Sequence, residues 1–292
     1  MQSTDLPERN AGERLIIPAG QTELSGRLFL PAGAPVAAVV LNGATGVPQA
    51  YYRHFARWLA ESRDMACLTY DYRDFGESAQ GPARRSRATM TDWALVDQPA
   101  ARAAMRQRLP GVPLWVIGHS LGAMLMPLQD GIEDIVRLIG VASGLVHHTD
   151  HPWPYQAFVR FFWFGPVPLV VRATGYLPGR RIGFGADLPA GVYWQWRRWC
   201  TAPDSYLPET GTTLPRPGWA RSGAAVDLFA IGDDQMIPPA CVWRLAPLFE
   251  GGRVRRHLVN PADFGLRKVG HLGLFQRRNA ELWPLLVDRP PR

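Results

Sequence analysis

Five short apolar runs recur along this chain: VAAVVL at 36–41, MACLTY at 65–70, PLWVIG at 113–118, VRLIGVA at 136–142 and AVDLFAIG at 225–232. Each is bounded by turn-forming residues, is too short for a helix, and lacks the polar alternation of a strand with one wet face. Such runs are what strands buried on both faces of a parallel sheet require. Parallel strands need crossover connections, and the stretches between the runs supply helical patterns. YYRHFARWLAES places Phe55, Trp58 and Leu59 on one face, and TDWALVDQPAARAAMRQRL begins with a Thr91 or Asp92 cap. PPACVWRLAPLF and LGLFQRRNAELWPLL complete the set, while GERLIIPA and ELSGRLFLP near the start read as a pair of half-buried strands. The expected class is therefore α/β, with a mostly parallel central sheet flanked by helices.

The stretch 146–222 breaks this rhythm. It is dense in proline and glycine, and it holds six of the eleven tryptophans: Trp153, Trp163, Trp194, Trp196, Trp199 and Trp219. Two readings fit: a satellite core that uses tryptophan for bulk, or an inserted cap whose aromatic underside lines a pocket. A lid folded over a site does both. The expected organisation is a core from 1–145 and 223–292 interrupted by a cap at 146–222, a size that 292 residues can accommodate.

Charge and cysteine content narrow the partners. The formal net charge is +7, but the bases come as scattered pairs such as Arg84-Arg85, Arg197-Arg198 and Arg277-Arg278, and Lys268 is the sole lysine. Dispersed charge of this kind does not mark a nucleic-acid face, although it favours an anionic substrate. Cys67, Cys200 and Cys241 are too few and too far apart for a disulfide framework or a metal-ligand spacing. No uninterrupted apolar stretch is long enough to span a membrane; AFVRFFWFGPVPLVVRA is cut by Arg160, Gly165, Pro166 and Pro168, which leaves FFWFGPVPLVV as a candidate for a membrane surface. The opening residues lack the apolar core of a secretory signal, so a cytoplasmic location is expected.

The chemistry is carried by VIGHSLGAM at 116–124. Here a strand passes into a helix within a few residues, and a serine at such a reversal takes an unfavourable backbone conformation. Side chains two positions to either side would collide, which explains Gly118 and Gly122. The turn lifts the Ser120 hydroxyl clear of the sheet and aims the Leu121 amide at the same spot. A serine hydroxyl needs a base. Of seven histidines, His54 lies within a helix, His119 points away at the elbow, and His257 sits among arginines. His147, His148 and His151 in HHTDH lack a periodicity that would fix metal ligands. His271 follows the last expected strand, where a loop can swing the imidazole over the sheet edge, and is the candidate base. Its orienting carboxylate is expected after the strand at 225–231, where DDQMIPP offers Asp233 and Asp234. The D-x-x-I-P spacing selects Asp234.

In the order Ser120, Asp234, His271 the chain resembles the α/β-hydrolase superfamily, in its lipase- and peptidase-like branch and a bacterial subgroup of hydrolases. LNGATGVPQAYYRHFARWLA is similar to that family's oxyanion loop and first helix, DYRDFGES at 71–78 to the turn after the next strand, and DDQMIPP to its acid loop. The resemblance implies Ala44 as the second oxyanion amide, with Thr45 as the alternative, and places Tyr51 at the spacing of the family's downstream tyrosine. Asn42 stands where a histidine is usual. Asp74 stands where glycine is common, which suggests an altered turn.

The expected function is a serine hydrolase that cleaves a small carboxylic ester with an apolar or aromatic acyl group, with no cofactor and no metal. Thioesterase, lactonase and acyltransferase reactions use the same triad, and a binding protein on this scaffold is the competing class.

Overall fold

The computed structural model describes residues 12–183 and 185–288. Its strands are β1 (Glu13–Ala19), β2 (Thr22–Phe29), β3 (Ala37–Asn42), β4 (Met65–Tyr70), β5 (Leu114–His119), β6 (Ile135–Val141), β7 (Tyr176–Leu177), β8 (Leu188–Pro189), β9 (Ala225–Ile231) and β10 (Val254–Val259). Eight of them form one sheet in the order β1-β2-β4-β3-β5-β6-β9-β10. β2 runs antiparallel to β1 and to β4, and every other pairing in the sheet is parallel. β3 and β4 are buried at every position, as uniformly apolar runs demand.

Helices α1 (Arg53–Arg63), α2 (Gln98–Arg108), α3 (Leu121–Met124), α4 (Tyr155–Phe164), α5 (Val167–Thr174), α6 (Ala190–Thr201) and α7 (Pro239–Trp243) connect or cover the strands. α1 buries Phe55, Ala56, Leu59 and Ala60 and ends at Asp64 in a left-handed conformation. The helical path into α2 starts earlier than the sequence suggests. Thr89 is the cap: its hydroxyl accepts from the Asp92 amide while the Asp92 carboxylate accepts from the Thr89 amide. Neither Thr91 nor Asp92 is the cap, because Asp92 is the other half of a reciprocal capping box. The two expected helices near the end are also fragmented. α7 gives way to a tight turn at Ala246–Leu248, where Pro247 has no amide to continue it. The 272–286 stretch breaks at Asn279, whose backbone leaves the helical region while its side chain donates to the Gly273 carbonyl at 2.8 Å.

Two hydrophobic cores lie on opposite faces of the sheet. One joins α1 to the C-terminal residues, including Phe275, Trp283 and Leu286. The other joins the path into α2, the elbow and the 146–222 segment, so that Phe162, Trp163, Tyr193 and Trp199 belong to the same packed cluster as Val116 and Leu138 of the sheet. The segment leaves the sheet after β6 and returns at β9, and it carries the short antiparallel pair β7–β8. Tyr206 Oη donates to the Met124 carbonyl at 2.7 Å and Gln195 Nε2 to Thr91 Oγ1 at 2.6 Å, which fastens the segment to both the elbow and the α2 approach.

Candidate active site

The parallel strands all point one way, so the loops following β3, β5, β9 and β10 gather at one edge of the sheet. Ser120 stands between β5 and α3 with φ 54° and ψ −114°. A non-glycine residue held there costs about 1–3 kcal/mol, and the surroundings hold it. Its amide donates to the Val141 carbonyl at 3.0 Å, and Ser143 Oγ donates to its carbonyl at 2.6 Å. A Cβ at Gly118 would strike the Gly122 carbonyl, and a Cβ at Gly122 would strike the carbonyl of Asn42. The two glycines thus permit β5 to turn tightly into α3 and α3 to lie against β3.

Asn42 braces this contact. Its Nδ2 donates to the Gly122 carbonyl at 3.1 Å and its Oδ1 accepts from Tyr70 Oη at 2.7 Å. The loop after it differs from the expectation in one respect. The Ala44 amide does not face open space: it donates to the buried Tyr52 hydroxyl at 2.9 Å. Tyr52, rather than Tyr51, is the tyrosine that reaches this loop, while Tyr51 Oη donates to the Leu272 carbonyl at 2.5 Å. Ala44 and Thr45 both line the cavity described below.

His119, one residue before the serine, is fully buried. Its Nε2 lies 3.0 Å from the His271 carbonyl and its Nδ1 2.8 Å from Tyr52 Oη. A carbonyl can only accept, so Nε2 carries the proton and Nδ1 accepts from the Tyr52 hydroxyl. The result is a directed chain from the Ala44 amide to Tyr52, on to His119 and into the main chain of His271. Burial, and secondarily the neighbouring His271, holds His119 well below the usual histidine range and therefore neutral. Burial likewise pushes the Tyr52 phenol well above its ordinary value.

Asp234 and His271 meet beyond the end of β9. Asp234 Oδ2 lies 2.8 Å from His271 Nδ1, and its Oδ1 accepts from the amides of Met236 and Ile237 at 2.8 and 3.0 Å. The Asp234 side chain is wholly buried and that of His271 nearly so. Asp233 has a different task. Its carboxylate accepts from the Val269 and Gly270 amides at 3.0 and 2.8 Å and so pins the loop that carries His271. Gly270 has φ 62°, which gives the loop its turn. The two adjacent acids are thus put to separate uses.

The remaining motifs find structural places. Asp74 takes a left-handed backbone with φ 57°, the conformation a glycine would supply, so the turn is kept. Asp71 ties that turn to the loop after β3 by accepting from the amides of Gln49 at 2.7 Å and Glu77 at 2.8 Å; burial pushes its carboxyl up to about 6. His257 lies 2.7 Å from Asp227, far from the edge that carries Ser120. In HHTDH, His147 pairs with Thr149 and His151 with the Gln235 carbonyl, and among the described residues no three metal-ligating side chains converge. Burial lowers His151 below the usual range.

Ser120, Leu121 and His271 open onto one cavity of about 290 Å³. Its far wall is apolar and comes largely from the 146–222 segment: Val159, Phe162, Trp163, Trp196 and Trp199. Sequence reasoning missed three members of this site. His151 and Tyr155 line the cavity, and His119 bridges two of its loops; only the closeness of His151 to the aromatic stretch signalled any of them.

The sequence pattern of the α/β hydrolase family matches residues 38–283, and the chain belongs to that family. No curated protein sequence matches it. Among solved structures it is similar to an esterase from Exiguobacterium antarcticum, with 15% identity over 94% of this chain and 98% of that one and a TM-score of 0.60. It is similar also to an esterase from Pyrococcus furiosus, with 12% identity over 99% and 94% and a TM-score of 0.61. An α/β serine hydrolase without a lid from Xanthomonas campestris matches with 13% identity over 97% of both chains and a TM-score of 0.55. At such identities these likenesses establish the fold. No helix among the described residues is long and apolar enough to cross a membrane.

Proposed function

We propose that this chain is a serine hydrolase that cleaves a carboxylic ester through an acyl-enzyme on Ser120. The observation that carries the reading is the convergence of a strained, glycine-flanked serine and an Asp234-bound imidazole on one apolar-walled cavity. In this scheme Nε2 of His271 takes the Ser120 proton as the oxygen attacks the acyl carbon, then hands it to the leaving alcohol. Asp234 keeps the proton on Nδ1 and stabilises the imidazolium. Water repeats the sequence to release the acid.

The tetrahedral oxyanion is held by the Leu121 amide at the start of α3 and by the Thr45 amide. Thr45 replaces Ala44 in this role because the Ala44 amide is already committed to Tyr52. Each such donor is worth about 3 kcal/mol in the transition state. The 146–222 segment acts as the lid, and its aromatic wall receives an apolar or aromatic acyl group. Esterase neighbours of the same fold accord with this chemistry.

Labelling by a fluorophosphonate probe and turnover of p-nitrophenyl esters test the reading. Wild-type protein should label and turn over, and Ser120→Ala should do neither. Equal labelling of the two would remove Ser120 from the mechanism.

A further inference from the structure

The outer side of the aromatic segment has no part in the chemistry above, yet its composition is unlike the rest of the surface. All four exposed aromatic side chains of the described residues, Trp153, Phe158, Phe161 and Phe164, lie within one stretch of 153–164. On α4 the last three are spaced by three residues and form one stripe, while Val159, Phe162 and Trp163 turn inward. Leu169 of α5, which packs beside α4, extends the patch and is 66% exposed. Contiguous exposed apolar surface of this kind marks a contact site.

Charge identifies the contact. Between Asp150 and Asp187 the chain has no aspartate or glutamate and four arginines, Arg160, Arg172, Arg180 and Arg181, all exposed. Arg160 and Arg172 ride on the same two helices as the apolar stripe. Exposed aromatics bordered by arginines, with no acid among them, match a surface that offers apolar chains beneath phosphates. Phe158 belongs both to the stripe and to the wall of the catalytic cavity, so the patch is continuous with the cavity mouth.

We propose that the outer face of α4 and α5 docks onto an anionic lipid surface and turns the cavity mouth toward it. An apolar acyl chain then passes from lipid to cavity without crossing water. Docking requires no catalysis, so it is separable from the role of Ser120.

Co-sedimentation of the full chain with vesicles tests this, using phosphatidylcholine alone and phosphatidylcholine with phosphatidylglycerol in equal parts. The wild type and Ser120→Ala should partition equally, and both more strongly onto the anionic vesicles. Arg160→Gln with Arg172→Gln should weaken that partition about twentyfold at low salt, leaving phosphatidylcholine binding unchanged. Phe161→Ser with Leu169→Ser should weaken it about tenfold or more while the far-ultraviolet circular dichroism stays that of the wild type. Equal partition onto the two vesicle types, or an apolar double variant that binds like the wild type, overturns the proposal. A dimer in sedimentation that Phe161→Ser dissociates, with no vesicle binding, overturns it in favour of a second copy on this face.

Discussion

The elbow at 116–124 and the aromatic segment at 146–222 border the same cavity but are held by different forces. At the elbow the backbone is over-determined: Gly118 and Gly122 leave no room for a Cβ, and hydrogen bonds to Val141 and Ser143 hold Ser120 in its strained conformation. In the segment the hold is side-chain packing, with Phe162, Trp163, Tyr193 and Trp196 meeting edge to face around centroid distances of 4.6–6.0 Å. A backbone lock tolerates almost no substitution, because the colliding atoms cannot move. A packed aromatic cluster can trade volume, at a cost set by the cavity left behind. In the proposed scheme the reacting atoms sit on the first kind of scaffold and the apolar wall on the second, so changes in the two regions should have different signatures.

The largest effect should come from the polar side. Asp234→Asn leaves the imidazole room but favours the wrong tautomer, and should lower kcat for p-nitrophenyl esters by about four orders of magnitude with little change in KM. A loss of tenfold or less would place the orienting acid elsewhere, with Asp233 the nearest candidate. His119→Phe should follow. It leaves the buried Tyr52 hydroxyl without its acceptor and should cost about 1–3 kcal/mol in denaturant unfolding, with a smaller fall in kcat as the His271 loop loosens.

On the aromatic side, Trp196→Ala should change selectivity more than rate. It enlarges the cavity wall, so the ratio of kcat/KM for a long-chain over an acetyl ester should rise, by about tenfold or more. An unchanged ratio, with every ester slowed alike, would show that the segment supports the elbow and does not contact the acyl group. The smallest expected effect concerns Asp71, whose carboxyl is raised in the folded state. Below the unfolded value both states are protonated. Between about 4 and about 6 the folded protein binds more protons than the unfolded, so stability falls as pH rises through that window. Asp71→Asn removes that term, and its melting temperature should gain on the wild type as pH is raised from about 4 to about 7. Parallel pH profiles would assign the raised proton affinity to another group.

Much of the scaffold is legible because it depends on local patterns. Uniform apolar runs gave the parallel strands, and Gly118 and Gly122 announced the elbow. The misreadings share a cause. The cap at Thr89 lies two residues before the stretch that reads as helical, and the helix at 272–286 breaks where Asn279 finds a carbonyl to bond. Ala44 has the right position in the loop, but its amide is claimed by a tyrosine eight residues on. His119 reads as an idle neighbour of the serine until its partners, 67 residues before it and 152 after, are brought alongside.

By itself the sequence determined the class of fold and the glycine-flanked turn at Ser120, because a strand-to-helix reversal and a buried parallel strand are demands that neighbouring residues meet or fail locally. Which acid binds the imidazole, that Tyr52 claims the Ala44 amide, and which tryptophans face the cavity were decided only in three dimensions. Those are competitions for a few hydrogen-bonding sites and a fixed interior volume among residues far apart in the chain, and only the folded arrangement sets who competes with whom.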